Sequence, residues 1–359
     1  MSLKTSKKVV NWGIIGLGDV CAKKSGPAFW KCDNSKLVAV MRRTPGKAKR
    51  WVKDNVPGGD CVGYDDIHAF LNHDGLDAVY IATPPGNHLE VVKRVAEVES
   101  IKACYVEKPV GRCGAETEEM VKLFRDKLFY PAYISRAYDR TNKVKELIDD
   151  GVTLGDVVSV SYTFKGTGGI RGLDTSNIPW RVDAAQSGGG LIMDVGCHLI
   201  DRLDYLLGPL TNVTGTAINT NSLYDVEDYV ELHANIDRTT VTCTWNFAPA
   251  QDEECDELII NGSNGNSLSM AAMSPSLPVH LINDHQIVKT FTFDTPEHTA
   301  QPLIQLVTHE ICGIDSAMSP ARGDNAIRTS KVLDTILLDY YGNRKPGFWS
   351  QNWPRNNNS

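Results

Sequence analysis

Through its first third the chain alternates short apolar runs with stretches of helical spacing. The runs occupy residues 9–15, 36–41, 76–82 and 101–106, and each ends in turn or polar residues. Between them, 20–30, 46–54, 64–71, 89–98 and 116–127 carry apolar residues three and four apart. Near-continuous apolar strands separated by helices form a parallel sheet covered on both faces. Right-handed crossovers make such a sheet doubly wound, with ligands at the carboxyl ends of its strands.

Beyond residue 155 the period changes to two. Val158, Val160, Tyr162 and Phe164 alternate with Ser159, Ser161 and Thr163. Val230, Leu232, Ala234 and Ile236 alternate with Glu231, His233 and Asn235, and Val241, Cys243, Trp245 and Phe247 with Thr242, Thr244 and Asn246. Alternation of this kind predicts strands with one buried and one polar face. Turn residues such as Asn261-Gly262-Ser263-Asn264-Gly265 punctuate them. Helical spacing returns at 301–314 and 325–341. The expected fold class is therefore α/β: an N-terminal doubly wound Rossmann sheet over 1–130, then an α+β domain over 131–345. The second domain has a large open, mostly antiparallel sheet, and a polar tail follows at 346–359. An open sheet needs covering, which implies a homo-oligomer, a dimer or a tetramer.

Composition narrows the function classes. The 359 residues suffice for two cores, with 42% hydrophobic and 23% charged positions. A net charge of −7 argues against a nucleic-acid or anionic-membrane surface. Lys4, Lys7 and Lys8 are followed by no apolar signal region, and no run is long enough to span a bilayer. Nine cysteines without a CxxC pair read as reduced thiols, so the expected location is cytoplasmic.

The chemistry begins where the first run closes on Gly13-Ile14-Ile15-Gly16-Leu17-Gly18. Gly16, Gly18, Asp19 and Val20 lie between strand and helix, where a backbone turn cradles a pyrophosphate. The third glycine of a dinucleotide fingerprint is replaced by Cys21. The second run ends in Arg42 and Arg43 where an NAD-binding strand ends in an acid. Guanidinium groups suit a 2′-phosphate, so NADP is the expected cofactor, with NAD possible.

The run 76–82 leads into Thr83-Pro84-Pro85-Gly86-Asn87-His88. Thr83, Pro84, Asn87 and His88 are cofactor-binding candidates there, with a purely structural turn as the other reading. Glu107-Lys108-Pro109 closes the run 101–106, and Pro109 biases Lys108 toward extended backbone at the strand end. Glu107 fixes either the cofactor ribose or the lysine, while Lys108 faces the reacting carbonyl. In the second domain, Gly188-Gly189-Gly190 opens a helical pattern that places Asp194 and His198 one turn apart on one face. A carboxylate so placed sets the tautomer or the basicity of the imidazole. Cys197 points elsewhere and the ligand set is too small, so no metal is expected.

This constellation resembles the Gfo/Idh/MocA family, the relatives of glucose–fructose oxidoreductase and inositol dehydrogenase. The resemblance covers nearly the whole chain and is carried most specifically by Glu107-Lys108-Pro109 together with the glycine-rich Asp194–His198 segment. It implies a Rossmann domain followed by an open sheet for substrate binding and oligomerisation. It further implies Lys108, Asp194 and His198 as the catalytic trio. His198 or Lys108 would exchange the hydroxyl proton, with Asp194 orienting them or the substrate. Arg136, Trp180 and Arg181 fit a polyol site on the second domain. The implied activity is NAD(P)-dependent hydride transfer to or from a sugar, inositol, dihydrodiol or similar hydroxyl or ketone. A redox-neutral glycosidase or epimerase that keeps its cofactor, or a non-catalytic NADP sensor, are the alternatives.

Overall fold

The computed structural model describes residues 8–169, 177–250, 253–314 and 318–351. The chain forms two compact units. The first comprises residues 1–110, 119–137 and 296–323, and the second 111–118, 138–295 and 324–359. The sequence reading draws a single cut after residue 130, whereas the chain returns to the first unit near its end. The return is held by apolar packing: Leu303, Ile304 and Val307 are part of the first unit's core. Trp12 Nε1 also donates to Thr308 Oγ1 at 3.2 Å.

The first unit contains β1 (Val10–Ile15), β2 (Ser35–Met41), β3 (Val62–Tyr64), β4 (Ala78–Ile81), β5 (Ala103–Val106) and β6 (Leu128–Pro131). All are parallel, in the order β3-β2-β1-β4-β5-β6 of a dinucleotide-binding sheet. Every residue of β4 and β5 is buried, as helices on both faces require. Trp12, Phe29, Tyr80 and Tyr105 pack in a row, with successive ring centroids 5.0, 5.1 and 5.2 Å apart.

Two helices differ from expectation. The stretch 20–30 is a π-helical turn, Cys21–Ser25, and then a short helix, Ala28–Lys31. Pro27 offers no N–H to continue the first turn, and a Cβ on Gly26 would sit 2.3 Å from the Cys21 carbonyl oxygen. The stretch 64–71 begins as the end of β3. Its helix starts only at Ile67, where Asp66 Oδ1 accepts the Ala69 N–H at 2.8 Å.

The second unit is built on β7 (Val157–Lys165), β8 (Thr211–Ile218), β9 (Tyr229–Ile236), β10 (Thr239–Asn246), β11 (Cys255–Gly262), β12 (Asn266–Met270), β13 (Val279–Asn283) and β14 (Gln286–Phe291). Their order is β14-β13-β12-β11-β7-β10-β9-β8. Every pairing is antiparallel except that of β7 with β10. Val160, Tyr162, Val230, Leu232, Val241, Cys243, Trp245, Leu258 and Ile260 form the buried side, so the period-two reading holds for these, whereas Val158, near the start of β7, is exposed. At the edge, Ile287 and Val288 of β14 are exposed.

The tail is a partial correction. Residues 352–359 lie outside the described residues, but Phe348 and Trp349 are packed, while Pro346, Ser350 and Gln351 are exposed. Phe348 is buried with its ring centroid 5.4 Å from that of Tyr341 and 4.8 Å from the Arg344 guanidinium. The Arg112 guanidinium stacks 3.4 Å from the Trp349 ring centroid.

Candidate active site

The glycine turn follows β1 directly. Gly16 has φ +100°, and a Cβ there would lie 2.7–2.8 Å from the backbone of Ala82 and Thr83. Only glycine allows these two strand ends to touch. Gly18 is exposed, with open space where a side chain would stand. Thr83 Oγ1 is buried beside this turn without a hydrogen-bond partner, a polar atom suited to a ligand hydroxyl or phosphate oxygen. Asp19 is exposed and Val20 half-buried at the start of the π turn. Arg42, just past β2, donates from Nη1 to the Leu17 carbonyl at 3.0 Å, so its guanidinium lies across the glycine turn. Arg43 is exposed next to it. These residues fit a dinucleotide.

After β4, Pro84 precedes a short 3-10 turn, Pro85–Asn87, closed by the Asn87 N–H donating to the Pro84 carbonyl at 3.0 Å. His88 has a different place from the one expected. It is fully buried, with Nε2 2.7 Å from the Thr83 carbonyl and Nδ1 2.9 Å from the Val110 carbonyl. Bridging two carbonyls from the interior, it staples the loop, as the purely structural reading of this turn has it.

Glu107 and Lys108 follow β5, both half-buried, and the Lys108–Pro109 peptide is cis. Glu107 Oε2 accepts the Lys108 N–H at 3.2 Å, and Oε1 accepts the Tyr80 hydroxyl at 2.5 Å. Burial, reinforced by the Glu107 carboxylate, raises the Cys21 thiol well above its ordinary range. Cys21 therefore fills the third-glycine position as an inert core residue. Arg136 belongs to this first unit, not to the second. It is buried in a 3-10 turn, Ile134–Ala137, and Nη1 donates to the Pro320 carbonyl at 3.3 Å. The apolar run leading into it revealed the turn but not its destination.

In the second unit, the glycine-rich segment is not the start of one continuous helix. A short helix, Ala184–Ser187, is capped by Gly188 at φ +89°; a π turn, Ile192–Gly196, and a helix, Cys197–Leu207, follow. Asp194 stands in the π turn and His198 in the helix, so a plain α-helical spacing does not describe them. Arg181 Nε donates to Asp194 Oδ2 at 2.9 Å. Its guanidinium also lies 4.4 Å from the Trp180 ring centroid. The structure thus brings Trp180, Arg181 and Asp194 together, and one face of the indole meets a guanidinium.

Sequence reasoning missed what supports this segment. Glu227 is buried beneath the glycines, where Oε1 accepts the Gly190 N–H at 2.8 Å and Oε2 the Tyr341 hydroxyl at 2.5 Å. Arg344 Nη2 donates to the carbonyls of Gly188 and Arg112. Burial pushes the Glu227 carboxyl up to about 7 against the opposing pull of these donors and of Arg344. No local motif marks Glu227, since its partners are distant in sequence.

Among the described residues, no helix is long and apolar enough to cross a membrane. Residues 10–128 match the oxidoreductase family with an NAD-binding Rossmann fold, and 141–267 match the GFO/IDH/MocA C-terminal domain. Oxidoreductase P35 of Formosa agariphila is 31% identical over 332 residues, covering 91% of this chain and 98% of that protein. The NADP(+) D-xylose 1-dehydrogenase of Haloarcula marismortui is 28% identical over 200 residues, 55% of this chain and 54% of that enzyme. The crystal structure of an aldose-aldose oxidoreductase from Caulobacter crescentus shares the fold. Its TM-score is 0.77 at 21% identity, over 92% of this chain and 96% of that one. Similarity that spans nearly all of one oxidoreductase and falls separately on both halves of the chain assigns a single ancestry: the protein belongs to the GFO/IDH/MocA family of NAD(P)-binding oxidoreductases.

Proposed function

We propose that the protein transfers hydride between NADP(H) and a hydroxyl- or keto-bearing carbon of a sugar or polyol. The observation that carries the cofactor preference is Arg42, tethered to the Leu17 carbonyl at the end of a strand that carries no acid. The substrate class is supported by relatives named for xylose and aldose chemistry.

In this reading Gly16, Gly18, Asp19 and Val20 hold the pyrophosphate, and Arg42 and Arg43 the 2′-phosphate. Thr83, Pro84 and Asn87 border the ribose, with His88 fixing their loop from within. The nicotinamide, when bound, supplies or takes up the hydride. Lys108 Nζ or His198 exchanges the proton of the substrate oxygen. Asp194, held by Arg181, orients the imidazole or the substrate, while Trp180 and Arg181 grip the sugar. Arg136 acts by bracing the end of the first unit's sheet. Two further proposals attach to this reading. The cysteines, none of them in a disulfide, point to a reducing cytoplasm, and the open second sheet to a homo-oligomer.

A panel of polyols and keto-sugars, followed at the nicotinamide absorbance with both cofactors, tests the activity. Lys108→Ala should lower turnover by about 10²–10⁴-fold while NADPH binding stays within about twofold. Wild-type turnover in that variant would end the lysine assignment.

A further inference from the structure

Two buried hydroxyl groups in the first unit, those of Tyr80 and Ser25, have no part in the scheme above. Tyr80 is fully buried on β4, with the rings of Phe29 and Tyr105 at 5.1 and 5.2 Å. Its hydroxyl donates to Glu107 Oε1 at 2.5 Å and lies 3.0 Å from Ser25 Oγ. Ser25 Oγ in turn is 3.4 Å from the Val20 carbonyl, in the turn that follows the glycines. The other Glu107 oxygen accepts the Lys108 N–H at 3.2 Å. With the Tyr80 proton on Glu107, the single Ser25 proton serves either Tyr80, at 3.0 Å, or the Val20 carbonyl, at 3.4 Å; the shorter contact makes a chain of bonds from Ser25 through Tyr80 and Glu107 to the Lys108 N–H.

Phenylalanine would fill the same aromatic row without a polar atom to desolvate. Burial, and then the facing carboxylate, hold the Tyr80 hydroxyl protonated, so it serves as a donor. A donor aimed at a carboxylate makes a charge-assisted bond of the stronger kind and defines the side-chain rotamer. Without it, one oxygen of Glu107 loses its fixed direction, and the backbone next to the lysine loses part of its anchor. Placement errors near 1 Å at a reacting group cost on the order of a hundredfold in rate.

We propose that Tyr80 is a positioning residue for the oxidoreductase reaction: its hydroxyl fixes the Glu107 carboxylate, which anchors Lys108, and Ser25, in the turn after the glycines, donates to the same hydroxyl. The inference rests on the reading of Lys108 as the proton-handling group.

Tyr80→Phe tests it in the full-length protein. Lysines are reductively methylated with 13C, and the Lys108 signal is identified by its loss in Lys108→Gln. The expected result is a displaced Lys108 resonance, NADPH affinity within about twofold, and turnover down about tenfold with KM unchanged. Phe29→Leu loosens the packing around Tyr80 but spares its hydroxyl, and should leave the resonance in place. Ser25→Ala, a milder cut at the far end, should displace the resonance in the same direction, and it decides the matter if Tyr80→Phe does not fold. An unmoved resonance with only a lower melting temperature would reduce Tyr80 to packing and overturn the proposal. An unmoved resonance with weakened NADPH binding would overturn it in favour of a cofactor role. Should Lys108→Ala keep its turnover, the acid/base reading fails, while the resonance shift still reports the link.

Discussion

Glu227 receives the Gly190 N–H and the Tyr341 hydroxyl where water hardly reaches, and burial pushes its carboxyl up to about 7 from an ordinary 4.5. Between those values the native state binds the proton that the unfolded chain has released. The contribution of Glu227 is thus fully present below the lower value and is lost as pH rises through the upper one. Glu227→Gln should flatten that dependence. The fall in unfolding free energy from about pH 5 to about pH 8 should shrink by on the order of 3 kcal/mol, read from urea titrations. An unchanged slope would mean that the carboxyl ionises normally. Arg42 is a second residue with a sharp expectation. Arg42→Ala removes a charge-assisted contact, so kcat/KM with NADPH should drop about 10–100-fold while the NADH value stays within about twofold. Equal losses with both cofactors would remove the 2′-phosphate assignment.

Both motif segments contain a π turn, Cys21–Ser25 after the first glycines and Ile192–Gly196 before His198. In the second, a Cβ on Gly196 would stand 2.2 Å from Ile192 Cδ1. Gly196→Ala should therefore destabilise by about 1–3 kcal/mol. Adding Ile192→Val, which removes the colliding methyl, should recover part of the loss in a double-mutant cycle of melting temperatures. Simple additivity would mean that the contact relaxes elsewhere. Such turns are hidden from apolar spacing, because five residues are too few to display a change of period. The parallel order was readable because buried strands such as β4 and β5 are apolar throughout, and the period-two strands because only one face is. β3 is too short to display a pattern. The stretch 301–314 reads as an amphipathic helix, but spacing does not say which sheet receives its apolar side. Of the site, the glycine turn, Arg42 and Lys108 were visible because strand ends expose them in motifs. Tyr80 reads as one more apolar strand residue, and its bond to Glu107 spans 27 positions. The bond from Tyr341 to Glu227 spans 114. Pairings of that kind exist only once the chain is folded.

At the scale of the whole molecule, the proposed homo-oligomer predicts a solution mass of two or four chains by light scattering. A single-chain mass at micromolar concentration would reject it. The second sheet carries another consequence, for synthesis. Its central strand, β7, pairs with β10 on one side and β11 on the other, and both lie later in the chain. While 166–238 is being made, including Trp180, Arg181, Asp194 and His198, β7 waits with two open edges. Ser159, Ser161 and Thr163 on its polar face keep that nascent strand from becoming an adhesive ribbon. Replacing Ser159 and Ser161 by valine should lower the soluble yield in cells well before it lowers the melting temperature of the finished protein.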